Sequence, residues 1–233
     1  MDPSLLENNI SKLRQRIRLS AKKYHRPESG ILLMAVSKTR PADAIRAAHA
    51  CGISDFGESY LQEAVEKMTA LADLPLTWHF IGPLQSNKTR PVAQHFQWVH
   101  SVDRLKIARR LDEQRPEGLP PLQVCIQANI SGESSKSGAD EAELRPLAEA
   151  IAALPRLKLR GLMAIPAATA DEASQRRAFA RLRRLLEELR IDFPELDTLS
   201  MGMSGDLRAA IAEGSTMVRV GTAIFGPRSP APG

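Results

Sequence analysis

The sequence predicts an α/β fold, a (β/α)8 TIM-type barrel with an extra N-terminal helix, and three observations predict it. Eight short apolar runs are spaced along the chain, helical patterns fill the gaps between them, and small, polar and glycine residues gather where the runs end. The 233 residues match the ordinary size of one such barrel, so residues 1–233 are expected to form a single domain without linker, low-complexity tract or repeat. A doubly wound open sheet is the competing arrangement. No Gly-x-Gly-x-x-Gly follows an early strand, which counts against it.

The elements follow in order. An amphipathic helix over 4–24 precedes the first strand, 31–37, whose core is the apolar run Ile-Leu-Leu-Met-Ala-Val. Helix 41–51 opens on Pro41, whose fixed φ suits a first turn, and strand 53–56 follows. Helix 59–72 starts at Ser59, then come strand 77–81, helix 87–95 and strand 98–101. Asp103 is the expected cap of helix 103–114, ahead of strand 122–129. Asp140 caps helix 140–153, strand 157–164 follows, and Asp171 caps helix 171–190. Strand 198–201, helix 205–213 with Asp206 in its first turn, and strand 217–220 complete the set.

Composition removes several function classes. The first twenty residues carry Asp2, Glu7, Lys12, Arg14, Arg16 and Arg18 with no apolar h-region, so no signal peptide is expected. The longest strongly apolar run, 31–36, is far short of a membrane span. Cys51 and Cys125 fall in a helical and a strand pattern and are expected as free thiols of a cytoplasmic protein. The five histidines show no paired ligand spacing, so no metal site is expected. Net charge is +5, and segment 176–190 supplies +4 of it with six arginines against two glutamates. Phe179, Leu182, Leu186 and Leu189 share one face there while Arg177, Arg181 and Arg184 point away, which is an ordinary surface helix. With 4% aromatic residues no stacking platform for nucleic acid is available.

In a barrel the chemistry sits where strands end and βα loops begin. At the end of the first strand, in "AVSKTRP", stands Lys38. A lysine at the lip of a core either snorkels, pairs with a carboxylate such as Glu58, or is placed for its amine. "SMGMSGDL" (200–207) and "RVGTAIFG" (219–226) end strands seven and eight, where such barrels often hold a phosphate on backbone N–H groups. Gly202, Gly205 and Gly221 permit close backbone approach, and Ser200, Ser204 and Thr222 offer hydroxyls. Ordinary turn chemistry favours the same residue types. Strand eight neighbours strand one once the barrel closes, so an amine beside a phosphate cradle suits an aldehyde or ketone with a phosphate tail.

The blocks "AVSKTRP", "DFGESYLQEA", "WHFIGPLQSNKTR", "SGESSKSG", "LRGLMAIP" and "LSMGMSGDLRAAIAEGSTMVRVGTAIFG" resemble the pyridoxal-phosphate homeostasis protein family, relatives of the alanine racemase barrel domain, from about residue 30 to 228. The resemblance implies a monomeric or weakly dimeric barrel that holds pyridoxal 5′-phosphate (PLP) as a Schiff base on Lys38. It also implies phosphate loops at Ser200, Met201, Ser204, Gly221 and Thr222, Arg219 near the pyridine nitrogen, and Asn129 and His79 lining the pocket less directly. One departure is visible: "FGES" stands where the family commonly has "FGEN", so Ser59 lacks the amide's paired donor and acceptor.

The resemblance implies PLP storage or delivery, with PLP-dependent apoenzymes as candidate partners. A PLP enzyme with weak racemase activity is the alternative, and a Schiff-base aldolase acting on a phosphosugar is a third reading. Racemisation needs an acid/base group on each face of the cofactor. The racemase relatives take the second one from a β-rich domain, which is not expected here because the chain runs only to Gly233. An arginine at the pyridine nitrogen also makes a weak electron sink.

Overall fold

The computed structural model describes residues 3–131 and 137–227. Eight parallel strands close on themselves in sequence order: β1 (Leu32–Val36), β2 (Asp55–Glu58), β3 (Thr77–Phe80), β4 (Trp98–Val102), β5 (Leu122–Gln127), β6 (Leu157–Met163), β7 (Thr198–Ser200) and β8 (Met217–Val220). Helices fill the intervals: α2 (Ala42–Ala50), α3 (Leu61–Ala70), α4 (Thr89–His95), α5 (Leu105–Gln114), α6 (Glu141–Ala152), α7 (Glu172–Leu189) and α8 (Leu207–Ala212). A longer helix, α1 (Pro3–Lys23), precedes the barrel, and a one-turn helix, α9 (Thr222–Phe225), follows β8. The expected barrel is present and the open sheet is excluded, because β8 pairs with β1 through Leu32↔Met217, Leu33↔Val218, Met34↔Arg219 and Ala35↔Val220.

Burial follows the two periodicities. Strand residues such as Ala35, Phe56, Phe80, Val99, Val124 and Leu162 are buried in the layer shared with the helices. Helices contribute one apolar stripe each; in α7 it is Phe179, Leu182, Leu186 and Leu189, as the spacing predicts. At Gly161 of β6 a Cβ would stand 2.0 Å from Thr198 O, so glycine is what lets β6 approach β7.

Four helix starts differ from expectation, the first being α2, where Pro41 is the N-cap residue rather than part of the first turn. Asp140 forms a capping box with Glu143, and Asp171 accepts from Ala173 N–H and Ser174 N–H. Asp103 and Ser59 do not cap. The N-cap residues are Arg104 and Tyr60, and the Asp103 carboxylate accepts instead from the Arg104 guanidinium at 2.6 Å. Asp206 occupies an N-cap position without a side-chain cap bond, because its carboxylate accepts Met203 N–H at 2.5 Å.

Helix α1 buries Leu6, Ile10, Leu13, Ile17 and Ala21 against α2, α8 and α9. Polar bonds fasten it there. Asn9 Nδ2 donates to Ile224 O at 3.0 Å, and beyond the helix Arg26 Nη1 donates to Ser215 O at 2.5 Å. The extra helix therefore braces the last βα units, where the phosphate loops are expected. Leu13→Ala, at a site 1% exposed, is expected to lose about 2–5 kcal/mol in urea unfolding. Leu19→Ala, on the solvent face of the same helix and 59% exposed, is expected to stay within about 0.5 kcal/mol of the parent.

Candidate functional site

At the C-terminal mouth a cavity of about 260 Å3 opens between the ends of β1, β7 and β8. Lys38, Arg219, Ser204, Gly221 and Thr222 line it, so five of the nine residues expected from the sequence converge there. Ser59 lines it as well, and Val36, Ile81, Ile165 and Met203 supply apolar walls. A larger cavity of about 630 Å3 lies at the opposite mouth, against α1 and the starts of β1 and β2.

Lys38 is presented by a turn that is held on both sides. Glu58 and Lys67 are buried behind it, and Lys67 Nζ donates to Glu58 Oε1 at 2.7 Å, Ser37 O at 2.8 Å and Glu63 Oε1 at 2.5 Å. Ser37 Oγ donates to Glu58 Oε1 at 2.6 Å, and Thr39 N–H donates to Glu63 Oε1 at 2.6 Å. The ion triad thus fixes the residue before Lys38 and the residue after it. Of the carboxylates near the β1 turn, Glu58 belongs to Lys67 rather than to Lys38. Thr39 itself sits at φ +64°, a left-handed conformation that costs a β-branched residue about 1–3 kcal/mol. Arg40 next ties the turn across the barrel seam, donating to Gly226 O at 2.6 Å and Pro227 O at 2.9 Å.

Arg219 is buried on β8. Its Nη1 donates to both Ser200 O and Ser200 Oγ, and its Nη2 donates to Ala164 O at 2.9 Å. Guanidinium has five N–H donors in a rigid fork, so donors remain for a ligand in the cavity. Burial lowers its pKa to about 10, with Asp206 and Cys125 opposing the shift, so the side chain remains a cation at neutral pH. Burial also pushes the Cys125 thiol up to about 12.

The two terminal corners meet at Ser204. Its Oγ lies 3.4 Å from Ala223 N–H in the first turn of α9, and its carbonyl accepts from Arg16 of α1 at 3.3 Å. Gly202 stands at φ +97°, and a Cβ there would stand 2.5 Å from Ala210 Cβ. Only glycine lets β7 turn this sharply into α8.

Four expected residues are not among those that line the cavity. Met201 points into the strand–helix layer, because side chains alternate along β7. Ser200, one residue earlier, points inward, yet its hydroxyl is engaged inside the barrel by His100 and Arg219. His79 is also in the barrel interior, with Nδ1 3.0 Å from His100 Nε2 and Nε2 3.0 Å from Asp55 Oδ1. Asn129 follows β5, where its N–H donates to Ala139 O at 2.9 Å and its Nδ2 lies 3.5 Å from Asp140 Oδ1. It closes the base of the loop carrying "SGESSKSG", of which 132–136 lie outside the described residues. His100 escaped the sequence reading. Trp98 and His100 stand two residues apart on the inner face of β4, which puts a second imidazole beside His79, whereas the bulge between Val99 and Val102 turns Val102 into the strand–helix layer.

Burial, opposed by Asp55, holds the His79 pKa below the ordinary imidazole value. His100 lies well below it through burial first, then through the neighbouring His79 and Arg219. Both rings are neutral at physiological pH. Burial likewise raises the Glu58 pKa, while Lys67 and Ser37 pull it back.

A (β/α)8 barrel with a lysine after the first strand and an arginine on the last defines a class, and residues 2–229 match the family model of the alanine racemase N-terminal domain. The pyridoxal phosphate homeostasis protein of Pseudomonas aeruginosa is 64% identical over 225 residues, covering 97% of this chain and 96% of that protein. The protein of the same name from Escherichia coli K12 is 53% identical over 226 residues, covering 96% and 97%. The chain belongs to the pyridoxal phosphate homeostasis protein family. Among solved structures, PipY of Synechococcus elongatus with PLP bound superposes with TM-score 0.82 at 40% identity, covering 95% of this chain and all of that one. Alanine racemase from Corynebacterium glutamicum, at 20% identity and TM-score 0.73, shares the fold over 60% of its own length.

Lys67→Met leaves Glu58 buried without its cation and is expected to cost about 3–5 kcal/mol near neutral pH. A carboxyl whose folded pKa is raised loses stability for the fold as pH rises through that value. The penalty is therefore expected to shrink as pH falls and Glu58 takes up a proton, measured by urea midpoints across pH.

Proposed function

We propose that this chain binds pyridoxal 5′-phosphate covalently at Lys38, without catalysing a reaction on it, and serves the homeostasis of that cofactor. The observation that carries the reading is the convergence of Lys38, Arg219, Ser204, Gly221 and Thr222 on one cavity of about 260 Å3. That volume lies just under the range of drug-sized pockets and suits one small aromatic phosphate. The names of the relatives and the PLP-bound neighbour PipY support the same ligand.

When bound, the cofactor supplies an aldehyde that condenses with a primary amine, losing one water to form a carbon–nitrogen double bond. The residues present fit that chemistry. Lys38 offers the amine on a turn clamped by Glu58, Lys67 and Glu63. The Ser204 and Thr222 corners offer hydroxyls and first-turn backbone N–H groups to an anionic tail. Ile81 and Ile165 offer apolar faces to a ring. Arg219 offers a permanent cation to the ring edge. With its pKa near 10 it lends no proton at neutral pH, so a ring nitrogen facing it stays a poor electron sink. That favours holding the cofactor over carbanion chemistry.

Met203 and Ile165 are exposed apolar residues at the rim, where a PLP-dependent apoenzyme would approach during delivery. No helix among the described residues is long and apolar enough to cross a membrane. The free thiols Cys51 and Cys125 suit a reducing cytoplasm. We read the protein as a monomer or weak dimer there.

The purified protein is expected to be yellow, and borohydride is expected to add the mass of one phosphopyridoxyl group. Lys38→Ala is expected to abolish that adduct while keeping the fold. Wild-type protein that stays colourless and gains no mass after incubation with PLP refutes the reading. Washing of solvent deuterium into an amino acid α-position, dependent on Lys38, would replace it with an enzymatic one.

A further inference from the structure

A continuous line of hydrogen bonds crosses the barrel interior. Arg219 Nη1 donates to Ser200 Oγ at 2.9 Å, Ser200 Oγ lies 2.9 Å from His100 Nδ1, His100 Nε2 lies 3.0 Å from His79 Nδ1, and His79 Nε2 lies 3.0 Å from Asp55 Oδ1. The five residues come from β8, β7, β4, β3 and β2, and β4 and β7 are not neighbours, so the line passes through the barrel itself. One end, Arg219, lines the cavity holding Lys38, and the other end, Asp55, lines the cavity of about 630 Å3 at the opposite mouth. His79, His100 and Ser200 are fully buried, while the Asp55 side chain is 22% exposed.

Counting protons fixes the direction. A guanidinium only donates and a carboxylate only accepts, whereas a hydroxyl and each neutral imidazole bring one proton apiece. Four links need four protons, and one arrangement supplies them: every donor points from Arg219 toward Asp55. Both histidines are then Nε2–H tautomers with Nδ1 accepting. The indole of Trp98 stacks on both rings, with centroids 5.5 Å from His79 and 5.6 Å from His100, and shields them from water.

We propose that the Ser200–His100–His79–Asp55 line is a positioning relay that holds Arg219 in the cofactor cavity and passes to it the charge state of Asp55 at the far mouth. An anion at Asp55 makes each successive group a better acceptor, ending at the Ser200 oxygen that receives the Arg219 N–H. The other titratable and charged groups near the line are Arg14 and Glu28 in the cavity of Asp55, Arg160 over the Trp98 ring, and Asp206 and the neutral Cys125 thiol near Arg219. The line stands without PLP; its consequence for PLP rests on Arg219 lining the cofactor site.

The test is side-chain 15N NMR on histidine- and arginine-labelled protein, with and without PLP. Both imidazoles are expected as neutral Nε2–H tautomers at neutral pH. Asp55→Asn, which keeps the acceptor oxygen and removes the charge, is expected to move the His100 and Arg219 resonances. It is also expected to shift the visible band of the loaded protein and to weaken PLP binding by about 2- to 30-fold, the span of couplings of this kind. Ser200→Ala is expected to cut the response of Arg219 to Asp55→Asn, and Ser200→Thr to keep it. An Nδ1–H tautomer at either ring, an imidazolium at neutral pH, or Arg219 signals indifferent to Asp55→Asn overturns the relay. Should Ser200→Ala fail to fold, the tautomers and the Asp55→Asn response in the otherwise native chain still decide. A relay intact by NMR in a protein that takes up no PLP refutes the cofactor reading and leaves the relay standing.

Discussion

The pairing of β8 with β1 is the constraint from which the site follows. It sets Arg219 beside Met34 and so brings the last strand's cation within one strand of the turn that carries Lys38. Neither residue is special alone, since a lysine at a strand end usually snorkels and a buried arginine usually answers a carboxylate. Closure makes them neighbours across 181 residues of chain, and each side of the seam is then fastened separately. Arg40 reaches from the β1 turn to the end of α9, and α1 holds α9 and the Ser204 carbonyl from behind through Asn9 and Arg16.

Around that seam the polar groups are divided by depth. Glu58, Lys67 and Glu63 stand behind the β1 turn, where Glu58 accepts from the Ser37 hydroxyl, Lys67 donates to the Ser37 carbonyl and to both carboxylates, and Glu63 accepts from Thr39 N–H. The imidazoles stand below, in a barrel interior that branched aliphatic residues ordinarily fill. One set holds the amine at the mouth and the other holds the cation beneath it. Among the described residues the two sets share no hydrogen bond, so the turn that carries Lys38 and the guanidinium of Arg219 are held by separate groups.

Family membership and geometry speak to different questions. The match along residues 2–229 and the 64% identity to the Pseudomonas aeruginosa protein settle ancestry and fold. The alanine racemase neighbour settles less, because at 20% identity a shared barrel carries no shared chemistry. Arg219 stays a cation at neutral pH and so lends no proton to a group beside it.

The sequence by itself determined the barrel, its strand order, the amphipathic faces and the mouth at which chemistry sits, because these follow from periodicities of two and 3.6 residues and from turn composition. It also placed Lys38, Ser204, Gly221 and Thr222 at that mouth, since each lies within a few residues of a strand end, while Arg219 entered through the family resemblance. Only the tertiary structure decided where Ser200, His79 and Asn129 go. Along a strand, alternate side chains face opposite layers, yet the pattern cannot say which inward residue reaches the cavity and which is consumed by a partner across the lumen. The triad at Glu58 and the line through His100 were hidden for the same reason. Their partners lie on different elements, and a hydrogen bond between distant strands leaves no trace in local spacing.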